Sequence, residues 1–168
     1  MFLLVLSQSA SAGFFDLAPQ PLPYAAPEVQ FISQATPHNL SGYKGHKVML
    51  WLFSTWCHTC VAGVQVMQEQ QATWEKSGLI ILAIRNHNNG GYQGPDMPVF
   101  MQKIAPRMVN MNNWVTGEAT EKMYHQLNAK KFPDIYFLID EKGFVQVVST
   151  APTATMNKIL NFARGASK

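Results

Sequence analysis

The sequence predicts an α/β fold with a central mixed sheet flanked by helices. Two continuous apolar runs, residues 48–53 and 79–84, are typical of strands buried on both faces of a sheet. Between them, apolar residues recur at steps of three and four, which indicates an amphipathic helix, so the two strands are expected to be parallel. Two later runs, residues 135–139 and 144–148, are largely apolar and flank a turn, which predicts an antiparallel hairpin.

Composition and charge narrow the class of protein. The chain has 168 residues, enough for one domain with a sizeable core. Hydrophobic residues make up 47% and charged residues 14%, which excludes a disordered chain, and no run reaches the roughly 18 apolar residues of a membrane span. The net charge of +3 is too small for a phosphate-binding surface. We predict a monomer that does not bind nucleic acid.

The extreme N-terminus differs from the rest of the chain. Residues 2–6 are apolar, and Ala10-Ser11-Ala12 has the small-x-small pattern that signal peptidase cleaves. The first basic residue of the chain is Lys44, so no basic segment precedes the apolar run. We interpret residues 1–12 as the remnant of a signal peptide, which predicts export to the periplasm or a similar compartment. The alternative is a short buried strand.

A proline-rich segment follows at residues 13–30. It contains four prolines and no apolar period, which predicts an extended arm rather than packed structure. The folded domain is then expected to cover residues 31–168.

The first helix is predicted to begin at a Cys-x-x-Cys pair directly after the first buried strand. Gly78 is placed to end it, because glycine readily adopts the left-handed conformation that follows many helices. The buried strand at residues 79–84 comes next. The apolar positions of this helix are Val61, Val64, Met67 and Trp74.

Three helices are predicted in the remainder of the chain. A polar, glycine-rich loop at residues 86–95 precedes a short helix opened by Pro98. A second helix is expected around residues 119–127. Thr153 can cap a final helix. The apolar face of that helix is formed by Met156, Ile159, Leu160 and Ala163.

The two cysteines of the chain, Cys57 and Cys60, dominate the functional interpretation. They lie in the segment Trp56-Cys57-His58-Thr59-Cys60. A disulfide closing so short a loop contributes little stability. A zinc site built on such a pair usually needs two more ligands at matching spacing, and no second cysteine pair is present. A redox-active pair is the remaining interpretation.

Position assigns the two thiols different roles. Cys57 is expected at the helix N-terminus, where free backbone N–H groups favour a thiolate, and is therefore the predicted nucleophile. Cys60 lies one turn inside the helix and is the predicted resolving thiol.

His58 and Thr59 lie between the two cysteines and are predicted to tune the redox equilibrium. A protonated His58 would stabilise the thiolate; alternatively, it is a solvated turn residue. Trp56 is expected to contact a partner polypeptide, with a core position as the alternative.

The order of elements and three segments carry a family resemblance. The order strand, Cys-x-x-Cys, helix, strand, helix, x-Pro, hairpin, helix resembles the thioredoxin fold. Residues 40–47, 54–60 and 132–143 are similar to the periplasmic TlpA, ResA and CcmG group, and the resemblance covers residues 30–165. It implies a thioredoxin-like fold with a helix–strand insertion, near residues 95–112, between the βαβ and ββα halves.

The resemblance also implies an activity. Members of this group are thiol-disulfide oxidoreductases that exchange disulfides with protein thiols in the export compartment, and the implied role is a reductant fed by a membrane electron donor, with no cofactor. In this fold Pro133 would follow a cis peptide bond and face the cysteines. The backbone of Phe132 would then pair with an extended substrate chain.

The chain departs from the family pattern at two positions. Thioredoxins carry a buried carboxylate six positions before the first cysteine, where this chain has Trp51, and ResA-like proteins often carry a glutamate three positions after the second, where it has Gly63. Asp134, next to Pro133, is the nearest substitute and the predicted proton acceptor for Cys60. The alternative is that Asp134 begins a strand and faces solvent.

A second functional class remains open from the sequence. The two thiols and a histidine could act as soft ligands in a copper chaperone. The other four histidines have no ligand spacing and the methionines are typical of packing, so no metal-binding residue is assigned.

Overall fold

The computed structural model describes residues 20–165, so the predicted signal-peptide remnant and residues 13–19 of the arm lie outside the described residues. One eight-stranded mixed sheet forms the centre of this part of the chain. The strands are β1 (Tyr24–Ala25), β2 (Gln30–Ser33), β3 (Thr36–Asn39), β4 (Val48–Phe53), β5 (Ile80–Arg85), β6 (Trp114–Ala119), β7 (Asp134–Ile139) and β8 (Phe144–Ser149). They lie in the order β1-β8-β7-β4-β5-β6-β2-β3. The helices are α1 (His58–Glu69), α2 (Gln71–Ser77), α3 (Met97–Ile104), α4 (Glu121–Leu127) and α5 (Pro152–Arg164).

The central strand β4 lies between its two predicted neighbours. It pairs in parallel with β5 and antiparallel with β7, and β7 pairs antiparallel with β8. The predicted βαβ unit and hairpin are therefore confirmed. All six residues of β4 are buried, because α1, α2, α3 and α5 cover one face of the sheet and α4 packs on the other.

Alternation along β4 distributes its side chains between two cores. Met49, Trp51 and Phe53 enter the core that also contains residues of α1, α2, α3 and α5. Leu50 and Leu52 enter the second core, under α4 and the N-terminal strands. Trp51 is therefore on the same side of the sheet as the cysteine helix.

The predicted first helix is divided in two. Gln70 leaves the helical conformation, with φ −94° and ψ 14°, and its N–H bonds to Met67 in a tightened turn that separates α1 from α2. Trp74 still reaches the core, and its Nε1–H donates to the Met67 carbonyl at 2.8 Å. The second part ends at Gly78, which has φ +67°, as predicted.

The insertion contains the predicted helix, but its strand lies later than expected. α3 has Pro98 in its first turn, as predicted. Strand β6 begins at Trp114 rather than within residues 95–112. Ala119 ends that strand instead of opening a helix, because the Thr120 hydroxyl caps α4 by accepting the Met123 N–H at 3.2 Å.

The start of the final helix also differs from the prediction. Thr153 does not cap α5, which begins at Pro152 after Ala151, a residue with φ +50° and no side-chain cap. Proline is favoured at this first helical position because its fixed φ fits the helix and no N–H is needed there.

The described part of the proline-rich segment packs against the domain, contrary to the prediction of an unpacked arm. Tyr24 and Ala25 pair with the outer edge of β8, and Tyr24 and Val29 are buried. Two-residue pairing suits this segment, because proline excludes helix but is tolerated beside an edge strand. The folded unit therefore begins before residue 31. Within residues 20–165 no helix is long and apolar enough to cross a membrane.

Candidate active site

Cys57 lies at the N-terminus of α1, as predicted. It is the N-cap residue, with an extended backbone at φ −87° and ψ 121°. Its Sγ accepts the Cys60 N–H at 3.4 Å and lies 3.1 Å from the Thr59 hydroxyl. The Cys60 N–H, the Thr59 hydroxyl and the helix N-terminus thus surround this sulfur.

Cys60 lies one turn further along and is fully buried. Its Sγ is 3.5 Å from the Pro133 carbonyl oxygen, which places Pro133 against the cysteines as expected. Burial raises the pKa of the Cys60 thiol strongly, and the hydrogen bond and charge of Cys57 and the charge of Asp134 raise it further. A thiol in this environment needs a nearby base in order to ionise at neutral pH.

Asp134 begins β7 beneath the cysteines and does not face solvent. Only 7% of its surface is exposed. Its Oδ2 accepts the Trp51 Nε1–H at 3.4 Å and the Ala151 N–H at 3.0 Å. Burial raises the pKa of this carboxyl, and the two hydrogen bonds oppose that effect. The structure therefore places a buried carboxylate near Cys60 although the usual family positions hold Trp51 and Gly63.

The expected substrate-pairing backbone is not available. The Phe132–Pro133 peptide bond is trans, and among residues 20–165 the cis bond is Leu22–Pro23. The Phe132 N–H donates to Asn128 Oδ1 at 2.9 Å, and its carbonyl accepts the Asn128 Nδ2–H at 2.8 Å. The prediction of a cis Pro133 is therefore wrong, and the Asn128 side chain bonds to both backbone groups of Phe132 that were expected to pair with a substrate chain.

Three buried asparagines, Asn86, Asn89 and Asn128, form a cluster around this segment that the sequence analysis did not identify. Asn86 and Asn89 both donate to Ser54 Oγ, and Asn86 also donates to the Pro133 carbonyl at 3.1 Å. Asn89 Oδ1 accepts the Tyr124 hydroxyl at 2.6 Å. The available signal was the asparagine-rich loop after β5, but nothing local in the sequence shows that its amides face residue 132.

Trp56 and His58 lie at the surface beside Cys57. Trp56 is 37% exposed, and its Nε1–H donates to the Tyr92 carbonyl at 2.9 Å. The loop that carries Tyr92 is held by Arg85, which donates to the Gly94 and Pro95 carbonyls. The core alternative for Trp56 is excluded. His58 is exposed, and within the described part of the chain its side chain forms no hydrogen bond or ion pair.

In residues 20–165 no three or more histidine, cysteine, aspartate or glutamate side chains lie together in a way that could hold a metal ion.

Comparisons with known proteins agree with this architecture. No protein-family model matches the chain. Thiol-disulfide oxidoreductase ResA from Geobacillus kaustophilus is 29% identical over 121 residues, which cover 72% of this chain and 62% of that protein. The chain thus spans less than two thirds of the length of this relative.

Solved structures show the same fold. A thioredoxin-family thiol:disulfide interchange protein from Chlorobium tepidum has 23% identity and a TM-score of 0.63, and the match covers 87% of this chain and 99% of that one. A SCO1/SenC family lipoprotein from Bacillus anthracis has 15% identity and a TM-score of 0.63, with 89% and 99% covered. The predicted thioredoxin-like fold is confirmed.

Proposed function

We propose that this TlpA/ResA/CcmG-like thioredoxin-fold protein is a thiol-disulfide oxidoreductase that exchanges disulfides with protein partners through Cys57 and Cys60. The observation that carries the proposal is the contrast between the two thiols on one helix turn. Cys57 is 7% exposed, caps the helix and accepts the Cys60 N–H, whereas Cys60 is fully buried with a raised pKa. That contrast suits one thiol to attack and the other to resolve.

The reaction then proceeds in two successive thiol-disulfide exchange steps. The Cys57 thiolate attacks a partner disulfide, forms a mixed disulfide and releases one partner sulfur as a thiolate. Cys60 then loses its proton and attacks Cys57 Sγ; the Cys57–Cys60 disulfide forms and the bond to the partner breaks. The partner gains two electrons and the chain is oxidised from dithiol to disulfide, so a further donor must restore the dithiol.

Asp134 is the proposed proton acceptor for Cys60. Its buried carboxylate acts electrostatically on Cys60, and burial raises the pKa of the carboxyl, which makes it a stronger base than an exposed aspartate. The proton passes to it directly or through one water molecule. Thr59 assists the first step by donating its hydroxyl to the Cys57 thiolate, and His58 adds positive charge when protonated.

The proposal extends to the cellular compartment of the protein and the direction in which electrons flow. We propose an exported reductant that is recharged by a membrane electron donor. The small-x-small segment near the N-terminus and the ResA relative support this proposal. Equilibration against glutathione or dithiothreitol tests the direction: a potential near −270 mV, about that of thioredoxin, is expected, and one near about −120 mV would indicate an oxidant.

Trapping of partners tests the assignment of the two thiols. Cys60→Ser should accumulate mixed disulfides with partner proteins, because the attacking thiol remains and the resolving thiol is absent. Cys57→Ser should not, since Cys60 is buried. Non-reducing electrophoresis of both variants measures this difference. Equal trapping by the two variants would contradict the assignment.

A copper chaperone is the second candidate, favoured by the structural likeness to the SCO1/SenC family lipoprotein. It would bind a soft metal ion through the two thiols and a histidine. Because no such three-ligand group is formed within residues 20–165, a ligand would have to move to complete the site. Metal analysis of the reduced protein separates the candidates: tight, stoichiometric copper without disulfide reductase activity would support the chaperone.

A further inference from the structure

We propose that Trp51 is a positioning residue that holds Asp134 in the orientation needed to accept the Cys60 proton. The inference rests on the proposed function and extends it to a side chain that has no titratable group. Trp51 stands where thioredoxins carry a carboxylate, and its indole Nε1–H donates to Asp134 Oδ2 across 83 positions of sequence at 3.4 Å.

The indole ring is fixed between β4 and α1. Trp51 is fully buried and its ring centroid lies 4.5 Å from that of Phe53. A Cβ atom added to Gly63 would lie 3.1 Å from Cζ2 and 3.2 Å from Cη2 of the indole, closer than such contacts usually are. The two departures from the family pattern are thus one feature, since the tryptophan ring uses the space that a side chain at position 63 would need.

A second donor acts on the same carboxylate oxygen. Ala151 adopts a left-handed conformation, with φ +50° and ψ 76°, and its N–H donates to Asp134 Oδ2 at 3.0 Å. Within residues 20–165, no group donates to Oδ1. The two N–H groups therefore anchor one oxygen and leave the other without a competing donor, ready to accept a proton.

The charged and titratable surroundings of Asp134 make these donors important. Cys60 faces it from α1, and Tyr136 lies near it on β7, where its hydroxyl donates to Thr155 Oγ1. Lys158 of α5 is exposed and bonds to Ser149. In the described residues no basic side chain forms an ion pair with Asp134, so neutral N–H groups are what stabilise its ionised form.

In the resolving step, the Cys60 proton moves to Asp134 while the Cys60 thiolate attacks Cys57 Sγ. The partner sulfur leaves as a thiolate and takes a proton from solvent. Removing the indole N–H destabilises the carboxylate, so its pKa rises and the fraction able to act as base at a given pH falls. The attack by Cys57 does not involve Asp134 and should be unaffected.

The experiment compares Trp51→Phe with the intact protein over a range of pH, using single-turnover formation and resolution of a mixed disulfide with a cysteine-containing peptide. In the intact protein the rate of resolution should rise with pH as Asp134 ionises; we call this rise the resolution limb. In Trp51→Phe the resolution limb should move to higher pH. At pH values below the limb, resolution should slow about tenfold, the effect of one pKa unit. Formation of the mixed disulfide should change by less than about twofold, since no charged group near Cys57 is altered.

A matched control is available in the same core. Trp74 is also fully buried, and its Nε1–H also donates to an oxygen, the Met67 carbonyl. Trp74→Phe removes a comparable ring and donor but leaves Asp134 untouched, so its resolution limb should stay at the pH of the intact protein. An equal displacement in both variants would show a general loss of packing and would overturn the proposal.

Two further variants keep the test decisive. Gly63→Ala retains the indole but crowds its ring, and should displace the limb in the same direction even if Trp51→Phe folds poorly. Asp134→Asn should abolish the limb. If Asp134→Asn abolishes the limb but Trp51→Phe and Gly63→Ala leave it at its original pH, the positioning role of Trp51 is wrong while the role of Asp134 as base stands. If Asp134→Asn resolves at the original rate, the assignment of the base fails first.

Discussion

The segment from Phe132 to Asp134 lies between two buried polar regions of opposite character. On one side, the asparagine cluster bonds to the backbone of Phe132 and Pro133. On the other, Trp51 and Ala151 bond to the Asp134 carboxylate. Asn86 and Asn128 are 1% exposed and Asp134 is 7% exposed, so burial alone does not distinguish the two regions.

The difference lies in hydrogen-bond satisfaction and charge. Each asparagine of the cluster both donates and accepts, and none can ionise. Asp134 keeps one oxygen without a donor from the described chain, and burial raises the pKa of its carboxyl. A buried neutral network stabilises a conformation, whereas a buried carboxylate lowers stability whenever it is ionised and is therefore expected to have a functional role.

The largest predicted effect is on the chemistry of the carboxylate side. Asp134→Asn keeps the shape and can still accept both N–H groups, but it removes the base. Resolution of the mixed disulfide should slow by roughly 10²-fold or more, while its formation stays near normal. Rapid-mixing kinetics with a peptide disulfide measure both steps. An unchanged resolution rate would leave water as the proton acceptor.

The asparagine side should respond in stability instead. Asn128→Leu leaves the Phe132 N–H and the Asn86 side-chain oxygen Oδ1 without their partners, each at a cost of about 1–3 kcal/mol. Urea denaturation should show a loss of about 2–6 kcal/mol in the free energy of unfolding. The control is Asn39→Ala at an exposed position, which should change the free energy of unfolding by about 0.5 kcal/mol or less. A resolution rate as slow as that of Asp134→Asn would contradict the division between the two regions.

The pH dependence of stability sharpens the comparison further. Because the folded-state pKa of Asp134 is raised, its contribution is favourable while the carboxyl is protonated and is lost as pH rises through that pKa. Asp134→Asn should therefore be more stable than the intact protein at neutral pH, and this gain should disappear under acid conditions. Each kcal/mol would raise Tm by about 2–4 °C in a thermal scan. A gain that is independent of pH would point to packing rather than charge.

The smallest effect is expected at His58, which belongs to neither region. His58→Ala should lower the reduction potential by about 30 mV or less at acid pH, because an exposed charge is screened by solvent. Equilibration with a glutathione buffer measures the potential. No change in the reduction potential at about pH 5.5 would identify His58 as a solvated turn residue.

Local sequence patterns determined the secondary structure near the site and the identity of its thiols. The runs at residues 48–53 and 79–84 predict β4 and β5 because a strand buried on both faces must be continuously apolar. Cys57 is predicted as a helix cap because the periodic pattern begins directly after it. The N-terminal strand β1 was not predicted, since its pairing depends on β8, more than a hundred residues away.

The tertiary structure alone decided which side chains bond to Asp134 and to Phe132. Trp51 bonds to Asp134 and packs on Gly63 because β4, β7 and α1 meet there, and no periodicity within any one element encodes that meeting. The asparagine cluster likewise brings a loop and a helix end to Phe132. A periodic apolar pattern predicts only which face of a single helix or strand is buried. Hydrogen bonds between distant segments form only when the elements pack together, so no such pattern predicts them.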